Sequence, residues 1–354
     1  MGGGPKETLL VAIEFPESKE LVDRMRKKFP YVDIVWYQHD PKKGPVPEHL
    51  FRSVTILVTM FSLPSKLSLV PELRYVHFFS AGINHIYEHP LYKDSKIPLT
   101  TSNGVHGPQI AEWVVMTALC QNHSYNHWHA LQQQKKWGNF RDVKVRDWAG
   151  QKVGILGYGS IGRQVGRAFA ALGMTIYAYT ASPRPTPSSR VDNGYIVPNT
   201  GDPDGSIPTA WYSGTSKASL HDFLSQKFDI IVLTLPLTPS TTHLLGTEEF
   251  AILASQPHPP LLSNISRGQI VDQAAMVKAL HDGGLRGACL DVTDPEPLPE
   301  DSELWTAKNV IITPHVSGGS EKYLERTWDI LEMNVGRLME GKKLINQVDR
   351  RRGY

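Results

Sequence analysis

Residues 151–180 read QKVGILGYGSIGRQVGRAFAALGMTIYAYT, and this stretch decides the fold. Val153, Ile155 and Leu156 form a short apolar run, the pattern of a buried strand. Gly157, Gly159 and Gly162 follow as G-x-G-x-x-G, after which Val165, Ala168, Phe169 and Leu172 recur at helical spacing. Gly173 closes that helix, and residues 174–179 predict the next strand. The first glycine permits a tight turn, the second lets a pyrophosphate approach the backbone, and the third lets helix and strand pack closely. The helix N-terminus then faces the phosphate charge. In this strand–turn–helix–strand setting the motif predicts a dinucleotide site on the 157–162 backbone, including Tyr158, Ser160 and Ile161.

A chain of 354 residues suggests two domains of ordinary size. With a formal net charge of +2, there is no electrostatic case for nucleic acid or an acidic membrane surface as partner. Cys120 and Cys289 lie in apolar surroundings and are expected to be reduced rather than bridged. No apolar stretch is long enough to span a bilayer. Residues 1–6 are glycine-rich rather than a signal sequence, and Lys6 departs from the Ser/Thr of a myristoylation site. Residues 350–352 are expected to be a solvated basic tail, the last two residues complete no peroxisomal tripeptide, and the cytoplasm is the expected location.

Ahead of the central stretch the chain alternates strands (8–13, 34–37, 54–59 and 73–78) with a helix at 18–28 that turns Leu21, Val22 and Met25 inward. This predicts a parallel sheet of its own. Its last strand leads into Ser80, Ala81 and Gly82, small residues whose backbone N–H groups suit an anion such as a carboxylate. A long apolar helix at 109–120 leads to an arm rich in His, Gln and Trp. There His123 and His127 would share a helix face with His129 nearby, which raises metal binding; no Cys or carboxylate cluster accompanies them, and an interface arm is the better account. Residues 182–216 read as a loop, either a lid or a surface insertion. The alternation then resumes, with strands at 229–235, 261–265, 287–292 and 309–313, helices at 220–226 and 273–281, and a final helix at 323–339.

Arg267, Glu296 and His315 each follow the carboxyl end of a predicted strand, and in a doubly wound sheet those ends line one crevice. A 2-keto acid accepting hydride needs a cation for its carboxylate and carbonyl oxygen, which a guanidinium supplies through paired donors. It also needs a proton donor, for which imidazole is best matched to neutral pH, and a carboxylate beside the imidazole to orient it.

With GYGSIG, LPLTPSTTHLLG, LLSNISRGQIVDQAAMVKAL, GACLDVTDPEPLP and NVIITPHVSGG, the chain resembles the NAD(P)-dependent D-2-hydroxyacid dehydrogenases, a family that includes glyoxylate/hydroxypyruvate reductases. The resemblance implies an α/β fold of two doubly wound parallel-sheet domains. A Rossmann coenzyme domain (121–319, with an interface arm at 123–148) would be inserted in a flavodoxin-like substrate domain (1–120 and 320–354). It implies Arg267 as the substrate-binding arginine, Glu296 as the acid paired with the histidine, and His315 as the acid/base. Ala81 and Gly82, beside Ser80, would bind the substrate carboxylate. Asp291 would hold the nicotinamide carboxamide, Leu235 and Pro236 would lie near the adenosine, and Ser266 and Gly318 would join the cofactor side. Members are usually dimers joined through the arm, and Trp137 resembles a tryptophan that in some glyoxylate reductases enters the neighbouring subunit's pocket.

Two departures stand out. Where NAD-specific members end the second strand with an acid, this chain has Thr180, followed by Ser182, Arg184 and Arg190, which suit a 2′-phosphate and predict NADP(H) over NAD(H). The long 182–216 segment has no role in the family pattern. Met60, Phe61 and His106 are placed to line a substrate pocket, and an apolar or aromatic keto-acid side chain is expected beside glyoxylate and hydroxypyruvate. Among rival readings, formate dehydrogenases carry Gln where Glu296 stands. Phosphoglycerate dehydrogenases usually prefer NAD and often add a regulatory domain, for which the tail after Met339 is short. A dinucleotide-sensing corepressor on the same fold would keep the catalytic trio, but carries a long C-terminal tail that this chain lacks.

Overall fold

The computed structural model describes residues 6–351 and 353. The glycine-rich start at 1–5, Arg352 of the basic tail and the terminal Tyr354 lie outside the described residues. The chain divides into two compact units, Met1–Val105 with Glu321–Tyr354, and His106–Ser320.

The first unit carries strands β1 (Glu7–Ile13), β2 (Val32–Gln38), β3 (Ile56–Thr59), β4 (Tyr75–Phe78) and β5 (Leu99–Thr101) in one five-stranded sheet ordered β2-β1-β3-β4-β5. All its ladders are parallel, and the order is that of flavodoxin-like sheets. Helix α1 (Lys19–Lys28) begins where the Ser18 hydroxyl accepts from Leu21 N and ends in Arg26, Lys27 and Lys28, which suit the negative end of its dipole. It buries Leu21, Val22 and Met25, the face expected from the sequence. The C-terminal helix Tyr323–Met339 packs Trp328, Leu331 and Val335 into the same core as β1 and α1, with Trp328 stacked on Trp36 at 5.5 Å. A short helix α2 (Pro90–Lys93) precedes β5, whose three residues are too few to show a periodicity, although all three are buried.

The second unit is a seven-stranded parallel sheet of β6 (Lys152–Leu156), β7 (Thr175–Thr180), β8 (Ala210–Ser213), β9 (Ile230–Leu233), β10 (Leu261–Asn264), β11 (Gly287–Leu290) and β12 (Val310–Ile312), ordered β12-β11-β10-β9-β6-β7-β8. Its core begins with α3 (Gly107–Asn122), whose Ile110, Ala111, Val114 and Ala118 share one apolar cluster with Val153, Ile155, Val165 and Phe169. That packing moves the boundary: the expected division after residue 120 falls instead after Val105, so the whole helix belongs to the second unit. Strand β6 (Lys152–Leu156), helix α5 (Ser160–Ala171) and β7 (Thr175–Thr180) realise the central stretch. Leu172 does not join the apolar face; it is the exposed C-cap of α5. The sheet order reverses between β6 and β9 (Ile230–Leu233), and the glycine motif sits at this switch point. Beyond it run β10 (Leu261–Asn264), β11 (Gly287–Leu290) and β12 (Val310–Ile312).

Three local expectations need correction. The arm does not place His123 and His127 on one helix face: His123 is the C-cap of α3, Ser124 adopts a left-handed φ of 52°, and α4 (Tyr125–Gln133) begins anew. Residues 182–216 are not all loop, since they contain a short helix α6 (Pro187–Arg190) and the edge strand β8 (Ala210–Ser213) paired to β7. Helix α8 (Thr247–Ala254), which follows α7 (Lys217–Leu224), was not foreseen. Cys120 and Cys289 are both free thiols, and burial pushes the Cys289 thiol up to about 12. No helix among the described residues is long and apolar enough to cross a membrane.

Candidate active site

In the second unit, Arg267, Glu296 and His315 follow the carboxyl ends of β10, β11 and β12, three adjacent parallel strands. The Arg267 loop is shaped by Asn264, whose Oδ1 accepts from Ser266 N at 3.0 Å while its Nδ2 donates to Arg267 O at 3.1 Å. Next to it, a Cβ on Gly268 would come within 2.6 Å of Asp294 N, so the β10 and β11 loops meet backbone to backbone only because residue 268 is glycine. The half-buried Arg267 donates from Nη1 to Ser266 O at 2.7 Å.

Glu296 accepts from Thr293 N at 3.1 Å through Oε1, and its Oε2 stands 3.0 Å from His315 Nδ1. One carboxylate oxygen is thus anchored to backbone while the other orients the ring, and Nε2 is the ring atom that remains for a substrate. His315 takes a left-handed φ of 54°. Asp291, 1% exposed, holds that turn: Oδ1 accepts from the Thr313 hydroxyl and from Val316 N at 2.9 Å, and Oδ2 accepts from Ser317 N at 2.9 Å. Backbone adds His315 N to Asp291 O at 2.9 Å. A buried carboxylate needs such donors. This arrangement adds to the expected carboxamide role a second one, the shaping of the histidine turn. Gly318 lies in the same turn; its carbonyl accepts from Gln109 Nε2 at 3.1 Å, and a Cβ there would stand 3.3 Å from the His106 ring. His106 therefore lies beside the turn that follows His315.

At the glycine motif, Gly157 has φ +100° and a Cβ on it would come within 2.8 Å of the Thr234 carbonyl. Gly159, the N-cap of α5, has no protein atom within 4 Å of a Cβ position. The protein does not need a glycine there, whereas a close-lying ligand does. Ser266 is buried, and its Oγ has no partner among the described atoms. These two features fit a dinucleotide at the switch point. The Tyr158 side chain is buried and donates to Asp202 Oδ2 at 3.0 Å, which leaves its main chain alone for a ligand. Ile161 packs partly buried on the core below, while Ser160 opens α5. Leu235 is half-buried beside the core and Pro236 is exposed, its carbonyl accepting from the Thr241 hydroxyl at 2.8 Å. At the end of β7, the Thr180 hydroxyl donates to Ser182 O at 2.8 Å, and Arg184 Nη1 donates to Ser189 O. Trp137 is wholly exposed on the arm, with Tyr125 and Phe140 also exposed.

In the first unit, Ser80, Ala81 and Gly82 follow β4, and the Ser80 hydroxyl donates to Gly82 O at 2.7 Å. Met60 and Phe61 follow β3, where His85 draws them to this loop: its Nε2 lies 3.0 Å from Met60 O and its ring 5.1 Å from Phe61. The only sequence signal for His85 is its place just past the small-residue loop.

Also unforeseen is a cluster of His221, Glu248 and Glu249, whose ligand-type atoms lie within 4.8 Å of one another. It is accounted for by ion pairs: Glu249 meets His221 at 2.7 Å and caps α8 through Gly246 N, while Glu248 meets Lys217 at 3.0 Å. Burial works against the Glu249 charge, yet the bonds from His221 and Gly246 hold its carboxyl below the usual range.

Comparison with known proteins gives this geometry a context. The family model for D-isomer specific 2-hydroxyacid dehydrogenases, NAD binding domain, matches residues 115–199 and 202–317, more than half of the chain. A glyoxylate/hydroxypyruvate reductase A of Salmonella paratyphi B is 28% identical over 289 residues, covering 80% of this chain and 82% of that protein. A hydroxypyruvate reductase of Blautia hydrogenotrophica is 28% identical over 285 residues, covering 79% and 80%. Among solved structures, an NADPH-dependent glyoxylate/hydroxypyruvate reductase from Sinorhizobium meliloti, in complex with NADP and sulfate, superposes with a TM-score of 0.75 at 27% identity, covering 99% of this chain and 100% of that one. A D-isomer specific 2-hydroxyacid dehydrogenase from Xanthobacter autotrophicus Py2, in complex with NADPH and MES, shares the fold with a TM-score of 0.77 at 24% identity, covering 99% and 100%. The chain belongs to the D-isomer specific 2-hydroxyacid dehydrogenase family.

Proposed function

We propose that this chain reduces 2-keto acids, including glyoxylate and hydroxypyruvate, to D-2-hydroxy acids with NADPH. The observation that carries the reading is the His315–Glu296 pair at 3.0 Å, set on the same sheet as the glycine motif. NADPH, when bound, supplies hydride to the carbonyl carbon of the keto acid. The chain's own groups do the rest. His315, oriented through Nδ1 by Glu296, gives the proton at Nε2 to the developing alkoxide oxygen. Arg267 offers guanidinium donors to the same oxygen and to the carboxylate. In the first unit, the backbone N–H groups of Ala81 and Gly82 are assigned to the substrate carboxylate. Met60 and Phe61, with His85, are assigned to an apolar or aromatic substrate side chain.

Coenzyme choice rests on the end of β7. Thr180 and Ser182 put no negative charge where a 2′-phosphate would lie, and Arg184 adds a cation nearby. The resemblance to an NADPH-dependent reductase from Sinorhizobium meliloti supports the same choice. For the arm, the exposed Tyr125, Trp137 and Phe140 support a homodimer, because such aromatic patches mark interaction surfaces.

Loss of NADPH absorbance on adding glyoxylate, hydroxypyruvate or phenylpyruvate tests the reading. Turnover abolished in His315→Ala supports an enzyme. Tight NADPH binding with no turnover on any of these acids would favour a dinucleotide sensor instead.

A further inference from the structure

Between β7 and β8 the chain runs through residues 181–209 with only the four-residue helix α6, longer than an ordinary connection in a doubly wound domain, yet it is tied firmly to the glycine-motif helix. Tyr158 donates to Asp202 Oδ2 at 3.0 Å, and Gln164 Oε1 accepts from Gly201 N at 2.5 Å. Arg163 donates to the carbonyls of Asp202 and Arg190, and its Nε stands 3.5 Å from Asp192 Oδ2. The Asp202 carboxylate also accepts from Ser206 N at 3.0 Å and Ile207 N at 3.2 Å. Tyr158, Arg163 and Asp202 are all buried. A buried cation and carboxylate persist only when their bonds are satisfied. Here Nη1 and Nη2 of Arg163 donate to backbone carbonyls of this segment, while Nε makes no hydrogen bond and faces Asp192 as a charge pair alone.

The bonds continue outward from there. Arg190, whose carbonyl Arg163 holds, donates from its own Nε to Arg184 O at 3.0 Å. Its guanidinium lies 5.7 Å over the Trp211 ring of β8, and that ring meets Tyr158 edge-on at 5.1 Å. Arg184 in turn donates to Ser189 O, and Gly214 N returns the segment to Thr180 O at 3.0 Å. One arginine therefore fixes the backbone of the next, from α5 to the residues that follow β7. A cation ordered before its ligand arrives loses less freedom on binding.

We propose that Arg163 and Asp202 are positioning residues for the coenzyme's 2′-phosphate. They fasten residues 182–216 to α5, so that the Arg184 and Arg190 guanidinium groups are set in place in advance. This assigns residues 182–216 to coenzyme choice, and it rests on the NADPH reading above. Neither residue touches the ligand.

Two conservative variants test it. Asp202→Asn keeps the shape but cannot accept from Tyr158 and both backbone amides; Arg163→Lys keeps the charge but has no fork to hold two carbonyls. Kd values for NADPH and NADH are measured by fluorescence titration on wild type and both variants, with kcat at saturating NADPH. NADPH is expected to bind about tenfold more weakly, with NADH changed by less than about twofold and kcat retained. Equal weakening of both coenzymes, the mark of a merely structural role, overturns the proposal, as does unchanged NADPH binding. Wild type that binds NADH as tightly as NADPH overturns the coenzyme reading and this inference together; a wild-type preference kept by both variants overturns the inference alone. Thermal melts check folding, and if Asp202→Asn melts below the assay temperature, Arg163→Lys decides.

Discussion

His315 Nδ1 stands 3.0 Å from Glu296 Oε2, and their side chains are 48% and 38% exposed. A pair so open to water adds little to stability, so its value is orientation of the ring. Glu296→Gln should lower kcat/KM for glyoxylate about 10–100-fold, and His315→Ala about 10²–10⁴-fold, both with nearly unchanged melting temperatures. A steady-state series with parallel melts checks this; a Glu296→Gln enzyme of full activity would remove the carboxylate from the mechanism.

Arg184 is the cation nearest in sequence to the end of β7. Arg184→Ala should raise KM for NADPH about tenfold while leaving NADH almost untouched, the cost of one charge-assisted phosphate contact. Wild type should show the higher kcat/KM with NADPH. A clear NADH preference in wild type would sink the coenzyme assignment.

Asp291 is buried and accepts from the Thr313 hydroxyl, Val316 N and Ser317 N. Asp291→Ala leaves those donors without a partner, at about 1–3 kcal/mol for each group that stays buried. The variant should melt several degrees lower and lose activity beyond what the melt explains, because the His315 turn loosens. Unchanged kcat at a temperature where the variant is folded would deny Asp291 this role.

His77 is fully buried, and burial holds its imidazole down at about 3, against an ordinary 6.5. Below pH ~6.5 the unfolded chain binds a proton that the folded chain refuses. The His77 contribution to stability is therefore complete above that pH and declines by about 1.4 kcal/mol per pH unit as the pH falls towards 3. Thermal midpoints at pH 7 and pH 5 should fall further apart in wild type than in His77→Gln. Equal differences would show that His77 takes up a proton in the folded state.

Trp137 and Phe140 point their rings into solvent on the arm. Light scattering should give the mass of a dimer, and Trp137→Asp with Phe140→Asp should shift it towards the monomer. A monomeric wild type would leave these rings needing another partner.

The local parts of this fold were legible because their causes are local. Gly157 needs a positive φ within one turn, α1 carries its cap and its charges within its own residues, and the helix Gln273–His281 shows its apolar spacing directly. What escaped lacks such signals. Strand β5 has three residues. The expected face of His123 and His127 failed because a single left-handed residue, Ser124, restarted the helix, which residue spacing does not announce. His85 carries no local signal of its role, because its partners, Met60 O and the Phe61 ring, are about two dozen residues away in sequence.

From its residues alone the chain declared two parallel α/β sheets, a dinucleotide-type turn at 157–162, and strand-end positions for Arg267, Glu296 and His315. Glycine spacing and strand-then-helix periodicity are short-range constraints, so they are written in consecutive residues. Tertiary structure alone decided that Asp291 holds the histidine turn, that α3 belongs with the second unit, and that residues 182–216 are tied to α5. Those outcomes depend on which apolar faces pack together, as α3 does on β6 and α5, and on which buried donors meet which acceptors far along the chain, as Tyr158 meets Asp202 across 44 residues. Such pairings follow from burial and the need to satisfy every buried polar group, and only the folded chain brings the partners together.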